Sequence, residues 1–158
     1  MKLSKKYILF PLLILFTFRA KSQELLNANE NQIKKYMNAK GGILKLEELQ
    51  NDEAFGGRYN ELFYTFPKSK VESSDILFTT FYLTVKNKCV RYLTAYKSNK
   101  FLKDLINNFD NPNSGLIRIG ETMKWINKSK NYEIEISLSQ FSTSGKSTAF
   151  VVDVYKKI

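Results

Sequence analysis

The stretch that decides the fold is residues 76–96, which read ILFTTFYLTVKNKCVRYLTAY. The first ten of these residues alternate between two faces, as expected of a β-strand with one buried side. The sequence places Leu77, Phe81, Leu83 and Val85 on one face and Phe78, Thr80, Tyr82 and Thr84 on the other.

The triplet Lys86-Asn87-Lys88 predicts a hairpin turn, because asparagine tolerates the left-handed backbone that tight turns require. Residues 89–96 then return as the partner strand. With a two-residue loop at Asn87 and Lys88, Val85 pairs with Val90 and Leu83 with Tyr92, which keeps the apolar side chains on one face.

The same pattern extends outward on both sides of this hairpin. Ile33, Tyr36 and Met37 form an apolar helical stripe that Asn29 caps and Gly41-Gly42 ends, and a second apolar stripe predicts a helix over 98–109, capped by Ser98. Further strands are predicted at 43–46, 60–66, 116–119, 122–127, 132–141 and 148–155. These elements predict an α+β fold: an antiparallel sheet, wet on one face and covered on the other by two amphipathic helices.

Each half of the chain repeats one order of elements: a helix, a glycine, and strands that end in a long hairpin. The pattern indicates two pseudo-repeats, residues 29–96 and 98–156, with a chance alternation of helices and hairpins as the alternative. Residues 23–158 predict a single domain, because a chain of this length is large enough to form one hydrophobic core.

The first 22 residues predict a cleaved signal peptide. Lys2, Lys5 and Lys6 precede a short apolar run, and Ala20 and Ser22 supply small residues at the cleavage site. The apolar run is too short for a membrane-spanning helix, so the mature chain is expected to be periplasmic or secreted, with no membrane span after cleavage. This segment holds five basic residues and no acid, so the net charge of +10 falls to +5 after cleavage.

Several chemistries are excluded by composition or spacing. The chain has no histidine and one cysteine, so a Ser-His-Asp triad and a multi-cysteine zinc site are impossible. Gly145-Lys146-Ser147-Thr148 resembles the end of a P-loop, but position 140 lacks the required glycine and a strand follows. No catalytic residue, cofactor or metal is therefore predicted, and the scarcity of arginine argues against a nucleic-acid partner.

Two further sets of residues, three carboxylates and one cysteine, carry groups that could take part in catalysis. Glu133, Glu135 and Asp153 could approach one another as a carboxylate pair for glycoside hydrolysis, although a solvated sheet face is favoured. Cys89, with no histidine to activate it, is interpreted as a half-buried structural residue rather than a nucleophile.

Tyr82, Arg91 and Tyr155 fall on the face expected to be wet, and tyrosine with arginine recurs at binding hot spots. They support the first hypothesis, an exported non-catalytic module that binds a protein or envelope component through the sheet. A cup-shaped domain that holds a small apolar ligand between helix and sheet is the alternative, and a carboxylate-based hydrolase is least favoured.

The hairpin at 87–90, the Pro-Asn-Ser-Gly loop at 112–115 and the Lys-Trp-Ile strand at 124–126, with the export signal, resemble small secreted proteins of unassigned function. The repeated helix-then-sheet order is also similar to the tandem architecture of β-lactamase-inhibitory proteins and the related PepSY and BamE-type modules. This second resemblance covers residues 23–158 and rests on element order. It implies no functional residues, because a shared fold does not establish a shared function.

Overall fold

The computed structural model describes residues 25–52, 57–67, 76–97, 101–139 and 149–156. The predicted signal peptide at 1–22, the expected cap Ser98 and the Gly145–Thr148 segment lie outside these residues. Within the described ranges, no helix has the length and apolar character needed to cross a membrane.

The described residues form one eight-stranded antiparallel sheet, with the strand order β1-β2-β3-β4-β8-β7-β6-β5. Helix α1 (Glu30–Ala39) precedes the first four strands, and helix α2 (Leu102–Phe109) with a 3₁₀ turn (Pro112–Ser114) precedes the last four. The strands are β1 (Ile43–Asp52), β2 (Gly57–Thr65), β3 (Ile76–Thr84), β4 (Cys89–Tyr96), β5 (Ile117–Arg118), β6 (Lys124–Asn127), β7 (Tyr132–Ser139) and β8 (Ala149–Lys156).

The predicted α+β fold, with two helices covering the sheet, is wrong, because the described structure is mostly antiparallel sheet with two short helices. Strand β1 has ten residues where the sequence predicted four, and α2 has only eight. Eight strands about 4.8 Å apart make a sheet roughly 34 Å wide, whereas two helices side by side span about 20 Å. The helices therefore pack on part of one face rather than cover it.

Helix α1 follows the sequence rules at both ends. The Asn29 side chain accepts from the backbone of Gln32, whose own side chain accepts from the Asn29 backbone, so a complete capping box starts the helix. At the other end Gly41 adopts a φ of +75°, the left-handed conformation that suits glycine. Ile33 and Met37 are buried in the core, as the predicted stripe requires.

Within the described residues, one hydrophobic core lies between one face of the sheet and the two helices. Its fully buried side chains come from both halves of the chain: Ile33, Leu62, Tyr64, Phe81, Leu83, Cys89, Trp125 and Phe150. Helix α2 contributes half-buried residues, of which Phe109 packs edge-on against Trp125 with ring centroids 5.1 Å apart. We call this side of the sheet the core face and the opposite side the outer face.

The central hairpin forms, but its predicted register is wrong. The Thr84 amide donates to the Lys88 carbonyl at 2.9 Å, so three residues rather than two make the loop, with Asn87 left-handed at φ +55°. A bulge follows, Leu83 pairs with Cys89 instead of Tyr92, and Val85 is 70% exposed. Phe81 pairs with Tyr92, a shift of two positions that keeps Leu83 and Tyr92 on the core face.

Each half of the sheet is a four-stranded meander, and the last strands of the two halves, β4 and β8, pair at the centre. Six residue pairs join them, from Arg91 opposite Tyr155 to Tyr96 opposite Phe150. The duplication of the halves stays a hypothesis, but the pairing has a direct consequence. Residues far apart in sequence become neighbours along this central seam.

Candidate functional site

A row of polar and aromatic residues crosses the outer face in direct cross-strand register. It runs over six strands in the order Glu48, Glu61, Tyr82, Arg91, Tyr155, Glu133. Directly opposed residues of antiparallel strands point to the same face, so these six side chains lie side by side. We call them the outer row.

The three residues singled out from the sequence are consecutive members of this row. Tyr82 lies opposite Arg91, and Arg91 lies opposite Tyr155. Alternation along the hairpin assigned Tyr82 and Arg91 to the outer face, while the approach of Tyr155 depends on the pairing of β4 with β8. The structure thus brings together all three residues, which the sequence could only place on strands.

Arg91 is fixed from two sides. Its Nε donates to Asp153 at 2.9 Å and its Nη2 at 2.6 Å, and its guanidinium carbon lies 5.7 Å from the centroid of the Tyr82 ring. The Asp153 carboxylate raises the pKa of Arg91 above its usual range. A guanidinium held in this fork and over this ring is a rigid, half-buried cation.

The other end of the outer row contains a second charged cluster. The Tyr155 hydroxyl donates to Glu133 Oε2 at 2.9 Å, and Lys124 Nζ lies 2.7 Å from the same oxygen. Lys124 also lies 5.4 Å from the Tyr155 ring centroid. Burial raises the pKa of Tyr155, and the hydrogen bond to Glu133 raises that of Lys124, so both groups keep their protons at neutral pH.

The acidic end of the row was not recognised from the sequence. Glu48 lies directly opposite Glu61, and the Tyr82 ring beside Glu61 packs edge-on against Tyr59 at 5.5 Å. Burial, followed by the charge of Glu48, raises the pKa of Glu61. Burial, with Glu61 next in effect, raises the pKa of Tyr82 to about 12. Glu61 is one residue from Leu62 and three residues from Tyr64 on its strand. Because alternate residues of a strand point to opposite faces, this spacing could have placed Glu61 on the outer face.

A second row, next to the acidic end, is apolar. Leu46, Phe63, Thr80 and Leu93 lie in register across β1 to β4, and Phe63 contacts Phe78 with ring centroids 5.3 Å apart. Phe63 and Leu93 are half-buried, and Leu46 is exposed. This apolar row and the outer row together place aromatic, aliphatic and charged groups side by side on the outer face.

The carboxylates considered for hydrolysis are built into the sheet. Asp153 is held by Arg91, and Glu133 is held by Lys124 and Tyr155. Glu135 is exposed on the same face. Glycoside hydrolysis needs one carboxyl group that donates a proton and another that is free to attack or to activate water. Two of these three groups are already engaged in ion pairs.

The structure also bears on metal binding and on the reactivity of the Cys89 thiol. No group of three or more His, Cys, Asp or Glu residues could hold a metal ion within the residues that the structure describes. Cys89 is fully buried, and burial raises the pKa of its thiol to about 12. The thiol therefore stays protonated, which fits a structural residue, although it is more deeply buried than the sequence suggested.

An open cleft of about 430 Å³ lies between the start of α1 and the β3–β4 hairpin. Its lining mixes polar and apolar side chains: Glu30, Leu49, Asn60, Leu83, Thr84, Val85 and Asn87. The Glu30 amide donates to Asn87 Oδ1 at 2.9 Å across it. This cleft differs from the continuous apolar cavity that a small apolar ligand would require.

Comparisons of the chain with protein-family models, with curated proteins and with solved structures find no match. These comparisons do not support the expected similarity to tandem helix-plus-sheet modules.

Proposed function

We propose that this chain is an exported, non-catalytic module that binds a protein or envelope component through the outer face of its sheet. The observation that carries the proposal is the alignment of Tyr82, Arg91 and Tyr155 on three neighbouring strands. Both described helices pack on the opposite face, through Ile33 and Met37 of α1 and Phe109 of α2.

The composition of the outer face supports binding. Tyrosine and arginine, together with tryptophan, are enriched where a few side chains supply most of the binding energy. Arg91 is held rigidly by Asp153 and Tyr82, so little side-chain entropy remains to be lost when a partner contacts it. The neighbouring apolar row supplies side chains that a partner could cover.

We propose a non-catalytic module because the side chains that could carry out catalysis are already paired or buried. Asp153 and Glu133 bind cations of neighbouring strands, and Cys89 is buried and protonated. Export rests on the pattern of residues 1–22, with its basic start, short apolar run and small residues near position 22. A periplasmic or extracellular partner is the expectation that follows.

The test is affinity capture from envelope extract with the chain isolated in its exported form, followed by mass spectrometry. Arg91→Ala should lose a specific partner that the unaltered chain retains. Arg118→Ala is the matched control, because Arg118 also forms an ion pair, with Asp110 at 3.0 Å, and lies 5.3 Å from an aromatic centroid, that of Trp125. Equal loss in both variants, or in neither, contradicts the proposal.

A further inference from the structure

The outer face carries a charge opposite in sign to the rest of the domain. The described residues include fifteen basic and eleven acidic side chains, a net charge of +4. Among the outer-face residues whose side chains the structure describes, five are acidic and two are basic, a net charge of −3. The acidic residues are Glu48, Glu61, Glu133, Glu135 and Asp153, and the basic ones are Arg91 and Lys124.

The excess negative charge is concentrated at particular positions. Arg91 and Lys124 pair with Asp153 and Glu133. Glu48, Glu61 and Glu135 then hold the excess, since no ion pair within the described residues includes any of them. Two of the three, Glu48 and Glu61, lie directly opposite each other at one end of the outer row.

Like charges directly opposite each other on neighbouring strands destabilise a sheet. Here the cost is increased because Glu61 is half-buried, and burial and Glu48 together raise its pKa. A cation placed between the two carboxylates would remove the repulsion. The Tyr82 ring beside Glu61 offers a flat surface on which a guanidinium or the stem of a lysine could pack.

We infer that the partner presents a basic protein surface, in which arginine or lysine side chains contact Glu48 and Glu61 and apolar side chains cover the row of Leu46, Phe63 and Leu93. This inference rests on the proposed function, and it adds the chemistry of the partner. The charge complementarity has a further effect: the described residues carry a net positive charge, so electrostatic steering directs a basic partner toward the negatively charged outer face.

The first test measures binding of fluorescein-labelled octa-arginine and octa-glutamate by fluorescence anisotropy at low ionic strength. The unaltered chain should bind octa-arginine despite its own positive net charge. The double variant Glu48→Gln/Glu61→Gln should weaken that binding by about tenfold, the scale of lost complementary charge contacts. The control Asp104→Asn/Glu121→Gln makes the same charge change at exposed residues of α2 and the β5–β6 turn, and should leave the affinity within about twofold.

Equal weakening by the two double variants would show a general charge effect and overturn the inference, as would a preference for octa-glutamate. A dimer that forms through Glu48 and Glu61, seen by light scattering, would show that the occupant is a second copy and would also overturn it. Capture of the native partner separates the two proposals. If capture requires Arg91 but neither Glu48 nor Glu61, the basic-partner inference is wrong and the outer-face proposal stands. If capture requires none of the three, both are wrong.

Discussion

The guanidinium of Arg91 donates hydrogen bonds from two nitrogens to the carboxylate of Asp153, from Nε at 2.9 Å and from Nη2 at 2.6 Å. These bonds cross the seam between β4 and β8. The two residues are 62 positions apart in sequence. Their contact joins the two halves of the sheet on the outer face, and it holds the guanidinium over Tyr82. One ion pair thus contributes to the assembly of the sheet and to the shape of the proposed binding surface.

The ion pair between Arg91 and Asp153 is expected to stabilise the folded chain. Arg91→Ala should lower the free energy of unfolding by about 1–2 kcal/mol, because it leaves a carboxylate that is only 17% exposed without its cation. Arg118→Ala should cost about 0–1 kcal/mol, since its partner Asp110 is 35% exposed. Urea unfolding measures both. A larger loss for Arg118→Ala would show that exposure does not govern the two pairs.

Leu83 and Val85 test the observed hairpin register. Leu83 is 1% exposed and Val85 is 70% exposed, although the sequence placed both in the core. Leu83→Ala should cost about 2–5 kcal/mol as a core truncation. Val85→Ala should stay within about 0.5 kcal/mol, as an exposed substitution. Thermal melts compare the two variants, and equal losses would contradict the three-residue loop.

Glu61→Gln should stabilise the fold at neutral pH while it weakens binding. The pKa of Glu61 is raised in the folded state, so its ionisation favours unfolding, and that penalty is fully present above the folded pKa. The gain from Gln should be about 0.2–1 kcal/mol at pH 7 and should disappear as the pH falls below the ordinary glutamate pKa of about 4.3. Unfolding curves at pH 7 and at pH 3.5 decide the matter. A gain that persists unchanged in acid would place its origin elsewhere.

Cys89 should be unreactive in the folded protein. Its side chain is fully buried and its thiol pKa is raised to about 12, so almost no thiolate exists at pH 8. A chromogenic disulfide reagent should react only after denaturant is added. Fast reaction without denaturant, in a protein whose circular dichroism shows it folded, would contradict the buried placement.

Local features of the chain could be read from the sequence where one strong pattern decided them. Asn29 caps α1 as its position predicts, and the alternation of residues 76–96 predicts the central hairpin and its outward Tyr82. The hairpin register could not be read, because one asparagine suits both a two-residue and a three-residue loop. The length of β1 was missed since Glu47 and Glu48 make an edge strand look like a polar segment.

The sequence could not predict those contacts of the site that depend on the order of the strands in the sheet. Alternation predicts the face of Arg91, but its partner Asp153 follows only from the pairing of β4 with β8. The opposition of Glu48 and Glu61 likewise requires the register of β1 on β2. The area of sheet that the helices cover was overestimated for a related reason. An apolar stripe shows which side of a helix is buried, but it does not show how much sheet lies beneath the helix.

The most direct measurement for the outer-face account is a photo-crosslinking map made in cells that express the exported chain. The photoreactive residue p-benzoylphenylalanine would replace Leu93 or Glu135 on the outer face, and Lys35 or Lys103 on the exposed sides of the two helices, with melts to show that each variant folds. If the outer face binds the partner, Leu93 and Glu135 should give covalent adducts with the same protein, and Lys35 and Lys103 should give none. Adducts from the helix positions with none from the outer face would contradict binding through the outer face.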